Sequence, residues 1–133
     1  MAINYPVNNF YQIIQQNAER SPRRIALFED DLKISNEELL CRVDKVAAYL
    51  CDLEIKQGDK VALVMSNSWQ FVVNLFAISK VGAVAVPVNN FLKHDELVYV
   101  INDSQTKLLF ASAKYSDEVR DLMIKTNVEK IIW

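Results

Sequence analysis

The chain has 133 residues, is 51% hydrophobic and 24% charged, and carries a formal net charge of −2, a composition that fits one globular domain able to bury a small core. Near-balanced charge, with no stretch where Lys and Arg cluster among aromatics, excludes the electrostatic footprint of a nucleic-acid surface. No apolar run approaches the about 20 residues that span a bilayer, and "MAINYPVNNF" has neither the basic nor the apolar region of a leader, so a cytoplasmic protein with no transmembrane segment is expected.

Residues 8–19 put Phe10, Ile13, Ile14 and Ala18 on one face at helical spacing, with Gln12, Gln15, Gln16 and Asn17 mostly elsewhere. Ser21-Pro22 ends this helix, because the residue before a proline avoids helical angles. "IALFED" and "LKIS", parted by Asp30-Asp31, read as two short strands around a turn. Ser35 with Glu38 three residues on forms a capping-box pattern before the periodic run Leu39, Val43, Val46, Leu50 and Leu53. The helix is predicted to stop ahead of Gly58, a residue that tolerates positive φ. Cys41 and Cys51 fall within it, about 15 Å apart at helical rise. A disulfide needs Cα atoms within about 7 Å, so both are expected as free thiols.

"KVALVMS" is continuously apolar, as a strand covered on both faces would be. Asn67 or Ser68 can cap the next helix, whose Trp69, Phe71, Val72, Val73, Leu75, Phe76 and Ile78 leave it apolar nearly all round and predict its burial. It stops at Gly82, and "AVAVPVN" follows as a strand with Pro87 near its carboxyl end or at a sheet edge. A helix over 94–102, the strand "KLLFA", a helix over 117–126 and the strand "KIIW" complete the chain. Strand and helix alternate from Val61 onward with short connections, which predicts right-handed crossovers and a parallel sheet. The expected fold is therefore α/β, a three-layer parallel sheet with flanking helices. Residues 1–60 supply an N-terminal helix, a short strand pair and a capped helix, and residues 61–133 a βαβαβαβ parallel unit. The apolar ending Ile131-Ile132-Trp133 reads as a truncated domain.

In open α/β sheets ligands bind beyond the carboxyl ends of the strands, which selects the loops after Ser66, Pro87 and Ser112. The serines and acids of "SNSW" and "SAKYSDE" read first as helix caps. Gly58 and Gly82 are the only glycines, and both lie at helix exits, so a dinucleotide fingerprint and a Walker loop are excluded. His94 is the single histidine, without Cys or a second His for a metal site, and reads as a solvated residue at a helix start. No serine stands in a G-x-S-x-G elbow. Asp30-Asp31 and Asp95-Glu96 are sequence neighbours at a turn and a helix start, not an acid/base pair. The residues by themselves give an α/β fold with no catalytic or metal-binding centre.

Three stretches in order carry a resemblance. They are "ISNEELLCRVDKVAAYL" with Glu38-Leu39, "QGDKVALVMSNSWQFVVNLFAISKVGAVAVPVN" with Gly58, Asp59, Val61, Ala62, Asn67, Ser68, Lys80, Gly82, Ala83 and Pro87, and "ELVYVINDSQTKLLFAS" with Glu96, Leu97, Asn102, Asp103 and Ser104. Together they resemble the N-terminal subdomain of the adenylate-forming superfamily, most closely acyl-CoA synthetases. Ser35-Asn36 stand where that family usually has Thr-Tyr. The resemblance implies a parent enzyme that activates a carboxylic acid, of fatty-acid type, with ATP and Mg²⁺ and passes the acyl group to coenzyme A. The family's phosphate loop, Mg²⁺-holding Glu, ribose-binding Asp and C-terminal Lys have no counterpart in these residues, so this fragment is expected to carry no cofactor and no adenylation activity. Its partners would be the remainder of its own chain and the intact enzyme's acid and coenzyme A.

By position, the acetyl-CoA synthetase branch places Asn89, Asn90 and Phe91 against coenzyme A, with Lys93 able to meet a phosphate. The alternative at this loop is a polar turn with Phe91 tucked into the core. For the whole chain, the alternative is a stand-alone, non-catalytic α/β interaction module.

Overall fold

The computed structural model describes residues 9–133. Asn8, where the first predicted helix begins, and all but the last two residues of "MAINYPVNNF" lie outside the described residues. The first helix, α1 (Phe10–Arg20), is capped by Asn9, whose side chain accepts from the Gln12 N–H. Strands β1 (Ile25–Glu29) and β2 (Leu32–Ser35) pair antiparallel around Asp30, which takes a φ of 50°.

Ser35 then opens α2 (Asn36–Asp52) with a complete capping box. Its hydroxyl accepts from the Glu38 N–H at 3.2 Å, and the Glu38 carboxylate accepts from the Ser35 N–H at 2.8 Å. Those hydrogen bonds to Ser35, backbone first and then side chain, hold the Glu38 carboxyl below its ordinary range, with the Arg42 charge adding to them. A depressed folded-state pKa adds stability that is complete above the unfolded value, about 4.3 for Glu, and is lost as pH falls through the folded-state value. Glu38→Gln should therefore flatten the acid limb of the stability curve while leaving neutral-pH stability lower, as read by thermal melts across that range. An unchanged acid limb would remove Glu38 from the acid response.

Gly58 does not end this helix. The chain leaves it at Leu53, and Glu54 adopts the left-handed φ of 58°, letting its N–H bond the Cys51 carbonyl at 2.9 Å. A non-glycine residue serves because one left-handed residue is tolerable where the backbone bonds compensate. Gly58 lies further on, with a φ of 86°, in the turn before β3. Cys41 and Cys51 are free and exposed on α2.

Strands β3 (Lys60–Val64), β4 (Val84–Pro87), β5 (Thr106–Ala111) and β6 (Lys130–Ile132) form a four-stranded parallel sheet in the order β4-β3-β5-β6. Alternation splits its side chains between two faces. Val61, Leu63, Leu108 and Phe110 join the core shared with α1, α2 and α3 (Trp69–Lys80), whereas Ala62, Val64, Leu109 and Ala111 join that under α4 (His94–Ser104). This gives the three predicted layers. Lys80 fastens one layer, its ammonium 2.7 Å from Asp44 on α2 and 4.6 Å above the Tyr11 ring on α1. Burial pulls the Lys80 pKa down, but its bonds to Asp44 and Tyr11 outweigh that and raise it.

Three expectations change. Helix α3 is not buried all round: Val73, Asn74, Ala77 and Ile78 are, while Phe71, Val72, Leu75 and Phe76 are half-buried. The helix over 117–126 is instead a 3-10 turn (Ala113–Tyr115) and two single-turn helices, α5 (Ser116–Val119) and α6 (Leu122–Lys125). They are separated by an extended Arg120 and a left-handed Asp121 (φ 63°), and Val119 and Leu122 both lie in the core. His94 is not merely solvated. Its Nδ1 bonds the Glu118 carbonyl and its Nε2 meets Lys125 Nζ, both at 2.9 Å, tying the start of α4 to α5 and α6. A carbonyl only accepts, so Nδ1 carries the proton.

Pro87 ends the edge strand β4 as its sequence position predicts. Val84 donates to the Asp59 carbonyl and Val88 to the Leu63 carbonyl, so residues 85 and 87 point their nitrogens away from β3. The missing N–H of Pro87 costs the ladder nothing.

Candidate functional site

The order β4-β3-β5-β6 contains a switch point: the connection leaving β3 runs to one side and the strand after β4 returns on the other, beside β3. The loops leaving β3 and β5 diverge there, which opens a crevice at the carboxyl ends of the strands. A groove of about 500 Å³ occupies it, lined by Ser66 and Asn67 after β3, Asn90 and Phe91 after β4, and Lys114, Tyr115 and Glu118 after β5. All three loops selected from the sequence thus meet in one place.

Each loop is held locally. The Ser112 N–H donates to the Val64 carbonyl at 3.0 Å and the Ser66 N–H to Ser112 Oγ at 3.4 Å, binding the exits of β5 and β3 together. Ser66 Oγ and Tyr115 Oη share a contact at 3.5 Å across the crevice. Ser68, rather than Asn67, caps α3 by accepting from the Phe71 N–H, which leaves Asn67 exposed on the groove. A second brace comes from far away in sequence, where the Trp69 N–H donates to the Glu29 carboxylate at 2.5 Å. Arg42 lies over the Trp69 ring at 4.5 Å.

The loop after β4 is an Asx turn: Asn89 Oδ1 accepts from the Phe91 N–H at 3.0 Å. That turn carries Phe91 outward, and it is 88% exposed, so it is not tucked into the core. Of the four predicted site residues, the groove gathers Asn90 and Phe91. Asn89 shapes the turn, and Lys93 stands outside the lining as the residue before α4, its N–H donating to the Glu96 carboxylate at 2.8 Å. Asn90 Oδ1 is buried with no hydrogen-bond partner, an unmet acceptor at the wall of the crevice. Tyr115 was legible only as part of the loop after β5. It is 8% exposed, and its hydroxyl faces Ser66.

The edge offers hydroxyls, amides, one ammonium and one carboxylate, and it contains no glycine. Gly58 and Gly82 lie together at the opposite end of the sheet, where the Gly58 N–H bonds the Gly82 carbonyl at 3.0 Å. A triphosphate needs closely spaced backbone donors that side-chain-bearing loops seldom provide, so these loops do not fit ATP. Among the described residues no group of three or more His, Cys, Asp or Glu could hold a metal ion. None of the described helices is long and apolar enough to cross a membrane.

A family profile described as AMP-binding enzyme matches residues 14–132. The long-chain-fatty-acid–CoA ligase FadD13 of Mycobacterium tuberculosis is 33% identical over 109 residues, which cover 80% of this chain and 22% of that ligase. The 3-oxocholest-4-en-26-oate–CoA ligase of Rhodococcus rhodochrous is 27% identical over 124 residues, 93% of this chain and 22% of its own. This chain thus spans about a fifth of the length of these curated relatives. Among solved structures, the N-terminal domain of FACL13 from Mycobacterium tuberculosis superposes with a TM-score of 0.84 at 28% identity, over 95% of this chain and 34% of that one. With that match running from the buried face of α1 into β6, the chain belongs to the AMP-binding enzyme family.

Proposed function

We propose that residues 1–133 are a fragment of the N-terminal subdomain of a cytoplasmic AMP-forming acyl-CoA synthetase. Its intact form converts a carboxylic acid and ATP, with Mg²⁺, to an acyl-adenylate and then transfers the acyl group to coenzyme A. The observation that carries this reading is the family match over residues 14–132, coupled to a groove at the switch point. A fatty acid is favoured as substrate by the likeness to FadD13. ATP supplies the activation: a carboxylate oxygen is a poor leaving group, whereas AMP departs readily when a thiolate attacks the carbonyl.

The residues of this chain act at the acceptor side. Asn89 sets the turn, Asn90 presents its amide to the crevice, Phe91 offers an aromatic face for packing against coenzyme A, and Lys93 adds positive charge near the start of α4. The 133-residue chain alone makes no adenylate.

The test pairs two assays. ATP–pyrophosphate exchange with fatty acids should be absent from the 133-residue chain and present in the product of a reading frame continuing past Trp133. In that intact enzyme Asn90→Ala should raise KM for coenzyme A and leave exchange unchanged. Exchange by the 133 residues, or a stop codon directly after Trp133, would overturn the assignment. A variant with an unaltered KM would remove Asn90 from the acceptor site.

A further inference from the structure

Sharing no lining residue with the groove just described, a second groove of about 620 Å³ lies among α1, β1 and α3. Ile13, Leu27, Val72 and Phe76 give it an apolar lining, and Arg20 and Arg24 also line it. The ion pairs among the described residues are Lys80–Asp44 and Lys107–Asp59, so neither guanidinium has a carboxylate partner there. Val72 and Phe76 fall one helical turn apart on the half-buried face of α3, which is the apolar surplus noted in that helix.

An apolar floor beside two unpaired guanidiniums suits a peptide segment that is apolar on one side and acidic on the other. Covering the arginines without a carboxylate would strand their charge, and a bidentate pair answers that cost. The FACL13 N-terminal domain shows how much chain is at hand, since this protein covers 34% of it. We infer that the α1/β1/α3 groove is the docking surface for an acidic amphipathic segment of the same polypeptide, contributed by the part of the subdomain that has no counterpart in these 133 residues. This rests on the reading of the chain as an N-terminal portion.

The experiment uses the intact enzyme with Cys41→Ser and Cys51→Ser, carrying Phe76→Cys as a reporter for maleimide. The same labelling on Ile13→Cys guards against a variant that fails to fold. Docking should make both reporters react about tenfold more slowly than in the 133-residue chain. Arg24→Glu, by repelling the acidic segment, should speed labelling about tenfold, whereas Arg23→Glu, outside the lining, should not. Equal rates in the long and short chains, or no response to Arg24→Glu, would overturn the inference. So would protection in the short chain that grows with its concentration, which assigns the groove to a second copy. A reading frame that stops at Trp133 defeats the parent reading, whereas a continuing frame with open reporters defeats the docking surface alone.

Discussion

Leu109→Ala is expected to cost about 3–4 kcal/mol of folding stability, a large share of the roughly 5–15 kcal/mol that holds a domain together. Leu109 is 0% exposed in β5, which lies between β3 and β6, and its side chain belongs to the core packed with Leu97, Ile101, Val119 and Leu122. The short helices on this side gain little from their own hydrogen bonds, because single turns are unfavourable alone. Their placement depends on the apolar face that Leu109 completes, so the cavity cannot collapse without moving them. Urea unfolding followed by circular dichroism reads the loss. Ile124→Ala, at a side chain 84% exposed on α6, should stay within about 0.5 kcal/mol of the parent. A Leu109→Ala loss no larger than that control would mean the sheet does not bury this face.

Gly82→Val should cost about 2–3 kcal/mol, because a β-branched residue is forced to positive φ and into contact at once. Gly82 has a φ of 76°, and a Cβ there would meet Gln57 Cγ at 3.2 Å and Gln57 Cβ at 3.4 Å. Gln57 is exposed, but its Cβ is anchored to the backbone and yields less than the end of the side chain. Gly58 gives the contrast. Its φ is 86°, yet nothing lies within 4 Å of the added Cβ, so Gly58→Ala should cost only the left-handed penalty of about 1 kcal/mol. Equal losses at the two sites would show that Gln57 moves aside freely and that only the backbone angle counts.

The parallel sheet and its layers were legible because their causes are local. After their leading lysines, "VALV" and "LLFA" are apolar at every position, and Ser35 with Glu38 announces α2. The groove was legible as three loops, since chain order places their strand exits at one edge. Its walls were not: Tyr115 meets Ser66 from 49 residues away, and Glu29 reaches the Trp69 N–H from 40 residues away. Spacing carries no trace of such pairs. The outward turn of Phe91 depends on Asn89 bonding two residues on, a signal present in "NNF" that the apolar character of Phe91 masked. The break at Arg120-Asp121 escaped because residues 117–126 have helical spacing of apolar side chains, and a left-handed Asp121 leaves no trace in that spacing.

The direction in which Pro87 faces also governs how molecules of this protein meet one another. Among the described residues β4 is an edge strand, and an exposed ladder of donors and acceptors is a template on which a neighbouring strand can grow. With the nitrogens of Ala85 and Pro87 turned outward and only one of them bearing a hydrogen, that edge offers a single main-chain donor over the strand. Growth of a neighbouring strand on β4 is thereby disfavoured.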